Sequence, residues 1–386
     1  MRHFFRKITS RAVLLSNLLL ILFFLLSCIS PYLYPGKWWF TGFLGLLFPY
    51  LLAGVIVFFL FWLFVKPRRS LYSLIAIILG FSNISKLIAI NKQESFATEK
   101  PQNYLRIMNW NVRYFVPFKE KIFKEDEAEN REAIVNEIRR LQPDVICFQE
   151  FFTSGEENGT DNIKLLSSEL GYPYHYFSRD KVHWKTIVTG TAIFSRHPMI
   201  HSTALPFPEN IAGGAESTIQ SDILFQGDTI RLFTIHLQSF RFMPQDYVDF
   251  GKIKNQQDSG LKASKNILRK MQSTFFLHGL QADFISEQIK KSELAVVVCG
   301  DMNDVPNSYA YRTIRGNLND VFLEKGLGIG KTFNSATSRF LGKLPTLRID
   351  YIFTDSRLRT RQFIQVNKEI SDHHALIADL NLPEKQ

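Results

Sequence analysis

Acidic side chains are almost missing from the first quarter of the sequence. Residues 1–99 hold two glutamates and no aspartate, against ten Lys and Arg. That segment carries a net +8 of the chain's +10, and residues 100–386, with 36 basic and 34 acidic side chains, are close to neutral. A near-neutral domain lacks the broad basic surface that dominates non-specific binding to nucleic acid, and it leaves room only for a local basic groove. Cysteine is scarce as well, at three in 386 residues. Cys28 lies in an apolar run, while Cys147 in "PDVICFQE" and Cys299 in "VVVCGD" sit in strand patterns. Two core strands rarely present the geometry of a disulfide, so these read as buried free thiols. There is no internal repeat.

What the first 90 residues have in abundance is uninterrupted apolar sequence. "AVLLSNLLLILFFLLSCIS" (Ala12 to Ser30) is long enough to cross a hydrocarbon core of about 30 Å as a helix. "FTGFLGLLFPYLLAGVIVFFLFWLFV" (Phe40 to Val65) is longer still. A third run, Leu71 to Ile90, is weakened by Asn83 and Lys86. Between the first two, "PYLYPGKWW" supplies the Tyr and Trp residues that suit a membrane–water interface. Residues 1–90 therefore read as a membrane region with three transmembrane helices. Arg2, Arg6, Lys7 and Arg11 precede the first run, and Lys66, Arg68 and Arg69 follow the second; the intervening loop has only Lys37. The positive-inside rule puts the N-terminus and the second loop in the cytoplasm, and three crossings place everything beyond residue 91 outside it. A merely peripheral third run would reverse that side. No small-x-small cleavage site marks the first run as a removed leader, and further spans follow it. "LLSC", ending at Cys28, is only faintly similar to a lipoprotein cleavage box, with Leu26 a poor fit.

Residues 91–103 are polar and read as a linker. From residue 104 to 386 strand-like and helix-like pieces alternate. "YLRIMNWNV", "PDVICFQE", "GTAIFSRHPM" and "LRIDYIFTD" read as strands, and "STIQSDILFQGDTIRLFTIHLQS" as two strands around a Gly-Asp turn. Ala133, Ile134, Ile138 and Leu141 recur at helical spacing, and Lys254 to Ser292 is mostly helical. "ELAVVVCGDMNDVPNS" (293–308) is apolar throughout its strand, as a strand covered on both faces would be, and then delivers Asp301, Asn303 and Asp304 at its tip. The pattern predicts an α/β fold: a four-layer α/β sandwich of two packed mixed β-sheets flanked by helices.

Polar residues fall at the ends of these strands with regularity. Asn111 ends "IMNWN", Glu150 ends "DVICFQE" and His236 ends "RLFTIH". Asp301 and Asn303 end "AVVVCGDMN", Asp350 lies in "RIDYIF", and Asp372 and His373 form "SDHH". Each alone has an ordinary structural explanation, such as Asp350 paired with Arg348. Together they form a coherent chemistry. Carboxylate and amide oxygens are hard ligands that Mg²⁺ or Mn²⁺ accepts, with Ca²⁺ a further candidate of the same class. Histidines to handle protons or charge on oxygen then suit phosphoester hydrolysis.

The ordered set "NWNV", "PDVICFQE", "GTAIFSRHP", "IHLQS", "GDMNDVPNS", "LRIDYIF" and "SDHHAL" resembles the endonuclease/exonuclease/phosphatase superfamily over about Arg106 to Leu382. The resemblance implies the four-layer sandwich and a divalent-metal hydrolase. It implies Glu150 as the principal metal ligand, supported by Asn111, with Asp372 near the metal. Asp301 would orient or deprotonate the attacking water, and Asn303 would hold the phosphate. Asp350 would orient His373, which stabilises the phosphorane, and His236 would contact phosphate or protonate the leaving group. Ala375–Leu376 replaces a frequent proline-containing "SDHxPV", which reads as a packing change. The expected activity is that of a membrane-anchored phosphodiesterase with nuclease-like chemistry acting on nucleic acid. The alternatives are a phosphodiesterase or phosphatase acting on lipid head groups, and a non-catalytic membrane-tethered binding domain. No protein partner is evident.

Overall fold

The structure is a computed structural model and describes residues 2–92, 95–115, 124–155, 160–183, 185–242, 246, 260–334, 345–366, 368 and 370–382. Its strands are, in chain order, β1 Ala89–Ile90, β2 Leu105–Asn111, β3 Val145–Ser154, β4 Tyr174–Phe177 and β5 Lys181–His183. Next come β6 Ile187–Ser195, β7 Met199–Leu205, β8 Thr218–Phe225, β9 Asp228–His236 and β10 Ala295–Asp301. The last are β11 Asn319–Asp320, β12 Leu327–Gly328, β13 Asp350–Thr354, β14 Arg359–Val366 and β15 Ala375–Asn381. The principal helices are α1 Arg2–Ile29, α2 Thr41–Val65, α3 Pro67–Leu79, α4 Phe81–Leu87, α5 Lys124–Leu141, α6 Gly260–Lys290 and α7 Tyr309–Arg315.

One sheet runs β11-β13-β10-β9-β8-β7, the other β14-β15-β2-β3-β6-β4, with β5 beside β6. Both are mixed: β10 lies parallel to β9 and antiparallel to β13, and β2 lies parallel to β3 and antiparallel to β15. The period-2 alternation of strand side chains builds the layers. Ala295, Val297 and Cys299 of β10 meet Ile107, Val145 and Cys147 of the other sheet in the central core. The intervening Val296 and Val298 point outward and pack with Ala282 and Ile285 of α6 and Tyr311 of α7. On the other side Met108, Ile146 and Phe148 are covered by Ile134, Ile138 and Leu141 of α5. The four-layer sandwich expected from the sequence is thus present. The hairpin joining β8 to β9 turns on Gln226 and Gly227, both at positive φ (54° and 83°), the backbone that fits a two-residue hairpin to twisted strands. All three cysteines are free and buried.

Within the N-terminal region α1 and α2 are each long and apolar enough to cross a membrane. The third apolar run differs from a straight span. It is two helices, α3 and α4, bent by 64° at Gly80. A side chain at Gly80 would meet the Phe24 ring of α1 at 2.5 Å, so the close helix approach requires glycine there. Beyond the bend, β1 pairs with β12 of the globular part.

The helices are fastened to the loop that follows β10. Asn307 Nδ2 donates to the Ser27 carbonyl at 2.8 Å, and Asn83 Nδ2 donates to Asn307 Oδ1 at 2.6 Å and to the Cys28 carbonyl at 3.0 Å. Gly45 of α2 lies so close that a Cβ would stand 2.5 Å from the Asn307 carbonyl oxygen. The ring of Phe43 meets Phe275 of α6 edge-on at 5.2 Å, and Arg348 Nη2 donates to the Lys86 carbonyl at 2.7 Å.

Candidate active site

Register alone sets the first row of polar groups. Asp301 is paired with His236 across the parallel neighbour and with Asp350 across the antiparallel one, so three adjacent strands present the three residues side by side. Gly300, just before, brings β10 hard against β9; a Cβ there would sit 2.1 Å from the Ile235 carbonyl oxygen. The second row comes from the facing sheet. Asn111 ends β2, and Glu150 stands where β3 slips register against β6 between Phe148 and Phe151. Such a bulge re-aims a side chain, and Glu150 takes a left-handed backbone (φ 51°) to do so. Asn303 is also left-handed (φ 49°), with its amide N–H on Asp301 Oδ1 at 2.8 Å and its Nδ2 on the Leu237 carbonyl at 3.1 Å. Left-handed non-glycine residues are held against their own preference, and they cluster where geometry matters more than stability.

The two rows meet. Asn111 Nδ2 donates to Asp301 Oδ2 at 3.1 Å and to Glu150 Oε1 at 3.4 Å. His373 Nδ1 lies 2.9 Å and 3.1 Å from the two Asp350 oxygens, leaving its Nε2 3.6 Å from Asp301 Oδ2. Phe333 holds the His373 ring edge-on at 4.9 Å. Asp372 and Glu150 are the most open of the acids, and Arg113 Nε lies 3.6 Å from the Asp372 carboxylate. All eight residues singled out in the sequence therefore lie in one place.

A ninth was missed. Glu216, buried ahead of β8, accepts from His236 Nδ1 at 3.0 Å and from the backbone N–H of Glu150 at 3.1 Å. Among the described residues His236 Nε2 then has no hydrogen-bond partner, and it lies 3.7 Å from Asp301 and 3.8 Å from Glu150. Two imidazoles, each tied at Nδ1 to its own carboxylate, thus aim Nε2 at Asp301. The signal for Glu216 was available. A two-residue turn at Gln226–Gly227 puts the start of β8 beside the end of β9, and so a carboxylate in "GGAES" beside His236.

Burial and charge shape the titration of the group. Burial pushes Glu150 up to about 7, against the opposing pull of His236, with the like charges of Asp372 and Glu216 adding to the rise. Burial also raises Asp301, partly offset by His373. For His236 burial disfavours the imidazolium, but the charge of Glu216 and its hydrogen bond outweigh it, with Asp301 and Glu150 adding, and carry it to about 9. His373 lies well above its usual value, because Asp350 and Asp301 overcome the cost of its burial. The site therefore gathers five carboxylates around two imidazoles and leaves Glu150 short of positive charge. Separately, ligand atoms of Asp301, Asp350 and His373 lie within 4.8 Å of one another, a grouping that can hold a metal ion.

The α/β sandwich with its strand-end acids and histidines has a family. A family model described as the endonuclease/exonuclease/phosphatase family matches residues 108–373, and the chain belongs to that family. A second, described as a domain of unknown function (DUF8431), matches residues 10–87. Among solved structures, an endonuclease/exonuclease/phosphatase from Beutenbergia cavernae DSM 12333 is 19% identical over 72% of each chain, with a TM-score of 0.50. The human Nocturnin catalytic domain with bound sulfate anion is 17% identical over 74% of this chain and 97% of that one, also at 0.50. At these identities the likeness is one of fold. No curated protein matches the sequence.

Proposed function

We propose that the chain is a membrane-anchored, divalent-metal-dependent phosphoester hydrolase with nuclease-like phosphodiesterase chemistry. One observation carries the reading: two carboxylate-bound imidazoles converge on Asp301 beside a part-buried Glu150 whose affinity for protons is raised. The carboxylate oxygens of Glu150 and Asp372 fit a hard divalent ion, Mg²⁺ or Mn²⁺; Asn111 would join them through Oδ1, which here accepts the Arg113 N–H while its Nδ2 faces Glu150 and Asp301. Of the Asp301–Asp350–His373 group, His373 Nδ1 and Asp350 are already joined to each other, which favours a catalytic role for that trio. The ion, when bound, supplies positive charge for the phosphoryl oxygens.

The chain's own groups do the rest. Asp301 orients the attacking water and takes its proton, a task its raised affinity for protons suits. Asn303, fixed through Leu237 and Asp301, holds a phosphate oxygen. His373, aligned by Asp350, presents Nε2–H to charge developing on the phosphoryl group. His236, held protonated by Glu216, contacts phosphate or the leaving oxygen.

The anchor is α1 and α2 with the bent pair α3–α4 as a third passage, and the flanking charges put the hydrolase domain outside the cytoplasm. A second reading, action on lipid head groups, is favoured by the clasp of Asn307 to Ser27, Cys28 and Asn83. Asn307 follows Asp301 by six residues, which span at most about 22 Å when extended. The test is the full chain in micelles with Mg²⁺, Mn²⁺ or Ca²⁺ and a panel of supercoiled DNA, RNA, sphingomyelin, phosphoinositides and soluble phosphodiesters. Metal-dependent cleavage of at least one phosphoester is expected; a folded protein inert toward all of them with every metal contradicts the proposal.

A further inference from the structure

Away from the catalytic rows, where α4, α6 and α7 come together, lies a half-open cavity of about 490 Å³. Its lining is basic: Lys86 from α4, Lys290 from the end of α6, and Arg312 and Arg315 from α7. The one carboxylate among the lining residues is Asp283, whose Oδ1 accepts from the Tyr309 hydroxyl at 2.8 Å. Among the described residues, none of the four basic side chains forms an ion pair. Four like charges around one cavity repel each other, and an anion seated between them removes that cost.

The position of the cavity says which anion. Tyr32, just past the apolar run of α1, lies under the Arg312 guanidinium at 4.5 Å and near the Lys86 ammonium at 5.9 Å. Lys86 itself sits in the last turn of α4, at the end of the third apolar passage. Half-exposed Tyr32, Trp38 and Trp39 occupy the same connection between α1 and α2, as amphipathic rings do at head-group level. With α1 and α2 in a bilayer, basic side chains bordering the cavity stand at the height of the lipid phosphates, where each is worth a sizeable attraction to an anionic surface. Ser286 and Thr313 add hydroxyl donors to the lining.

We infer that this cavity binds the head group of an anionic phospholipid of the surrounding bilayer, at a site separate from the catalytic rows. The site seats the hydrolase domain on the membrane from its α6–α7 side. It depends on α1 and α2 lying in a bilayer and is independent of whether the catalytic rows hydrolyse phosphoesters.

The experiment is native mass spectrometry of the full chain in micelles supplied with an equimolar mixture of phosphatidylglycerol and phosphatidylcholine. Phosphatidylglycerol should be retained preferentially. Lys290→Gln combined with Arg312→Gln should reduce that retention about tenfold or more, while phosphatidylcholine is unaffected. Lys290→Arg alone should keep it, and so should Lys291→Gln, one residue beyond the lining; melting of each variant in phosphatidylcholine verifies folding. Equal retention of the two lipids would overturn the inference, as would unchanged retention in the double variant. It would also be overturned if inorganic phosphate or a single-stranded oligonucleotide bound in a Lys290- and Arg312-dependent way while phosphatidylglycerol did not.

Discussion

Asp301 lies between two imidazoles, and each imidazole is held by a carboxylate of its own. The symmetry is chemical rather than structural, since Glu216 comes from the run into β8 and Asp350 from the start of β13. Glu216 has a further duty, accepting the backbone N–H of Glu150 where that residue is left-handed. Replacing it with glutamine keeps an acceptor but removes the charge that lifts His236 to about 9. The imidazolium of His236 exists below its folded pKa and is lost as pH rises through it. In Glu216→Gln that value falls, so the alkaline limb of the pH–rate profile should move to lower pH. A limb that stays in place would show that His236 does not act as a cation. This residue was also the hardest to read from the sequence. Asn111, His236, Asp301 and Asp350 close or open strands and so stand out, and Glu150, expected to end its strand, stands instead at a bulge within β3, which runs on to Ser154; "GGAES" reads as an ordinary turn until the hairpin register is known.

Among elements, the strands that build the site were legible because most of their residues are apolar and buried, as in strands covered on both faces. β10, whose residues are buried from Ala295 to Asp301, is the clearest example. β4, β5, β7 and β14 were not, because their exposed or half-exposed residues blur the alternation that marks a strand. The helical reading from Lys254 begins outside the described residues and is met by α6 from Gly260 onward. Composition showed three apolar passages but not the bend at Gly80, nor that Phe24 of another helix packs against that glycine. Nor could it show that Asn83, which weakened the third passage, is the residue that grips Asn307. Asn307→Ala would leave Asn83 and the Ser27 carbonyl without that partner, at a cost of about 1–3 kcal/mol for buried polar groups. Thermal melting of the full chain in micelles should fall by several degrees. An unchanged melting temperature would mean that the clasp contributes nothing to stability.

At the scale of the whole molecule, the two ends of the helical bundle differ in kind. At one end Lys66 and Arg69 bond to Ser10, among the flanking basic residues. At the other, the connection from α1 to α2 meets α6, α7 and the loop after Asp301. If the bundle spans a membrane as proposed, the positive-inside rule puts the globular domain on the side away from the Lys66–Arg69 cluster. A reporter active only outside the cytoplasm should work when fused after Gln386 and fail near Arg68; the opposite pattern would move the site to the cytoplasmic face.

The central claim is that Asp301 and Glu150 share one reaction in different capacities, and a metal titration of hydrolysis rate in the full chain separates them. Asp301→Asn keeps size and hydrogen-bonding shape but not the charge, so it should lower turnover by about 10² or more at every Mg²⁺ concentration while melting as a folded protein. Glu150→Gln should shift the Mg²⁺ dependence upward, with part of the rate recovered at high metal. His373→Ala should remain slow however much metal is added, and exposed Glu293→Gln should match wild type. Wild-type rates from folded Asp301→Asn and His373→Ala proteins would contradict the account.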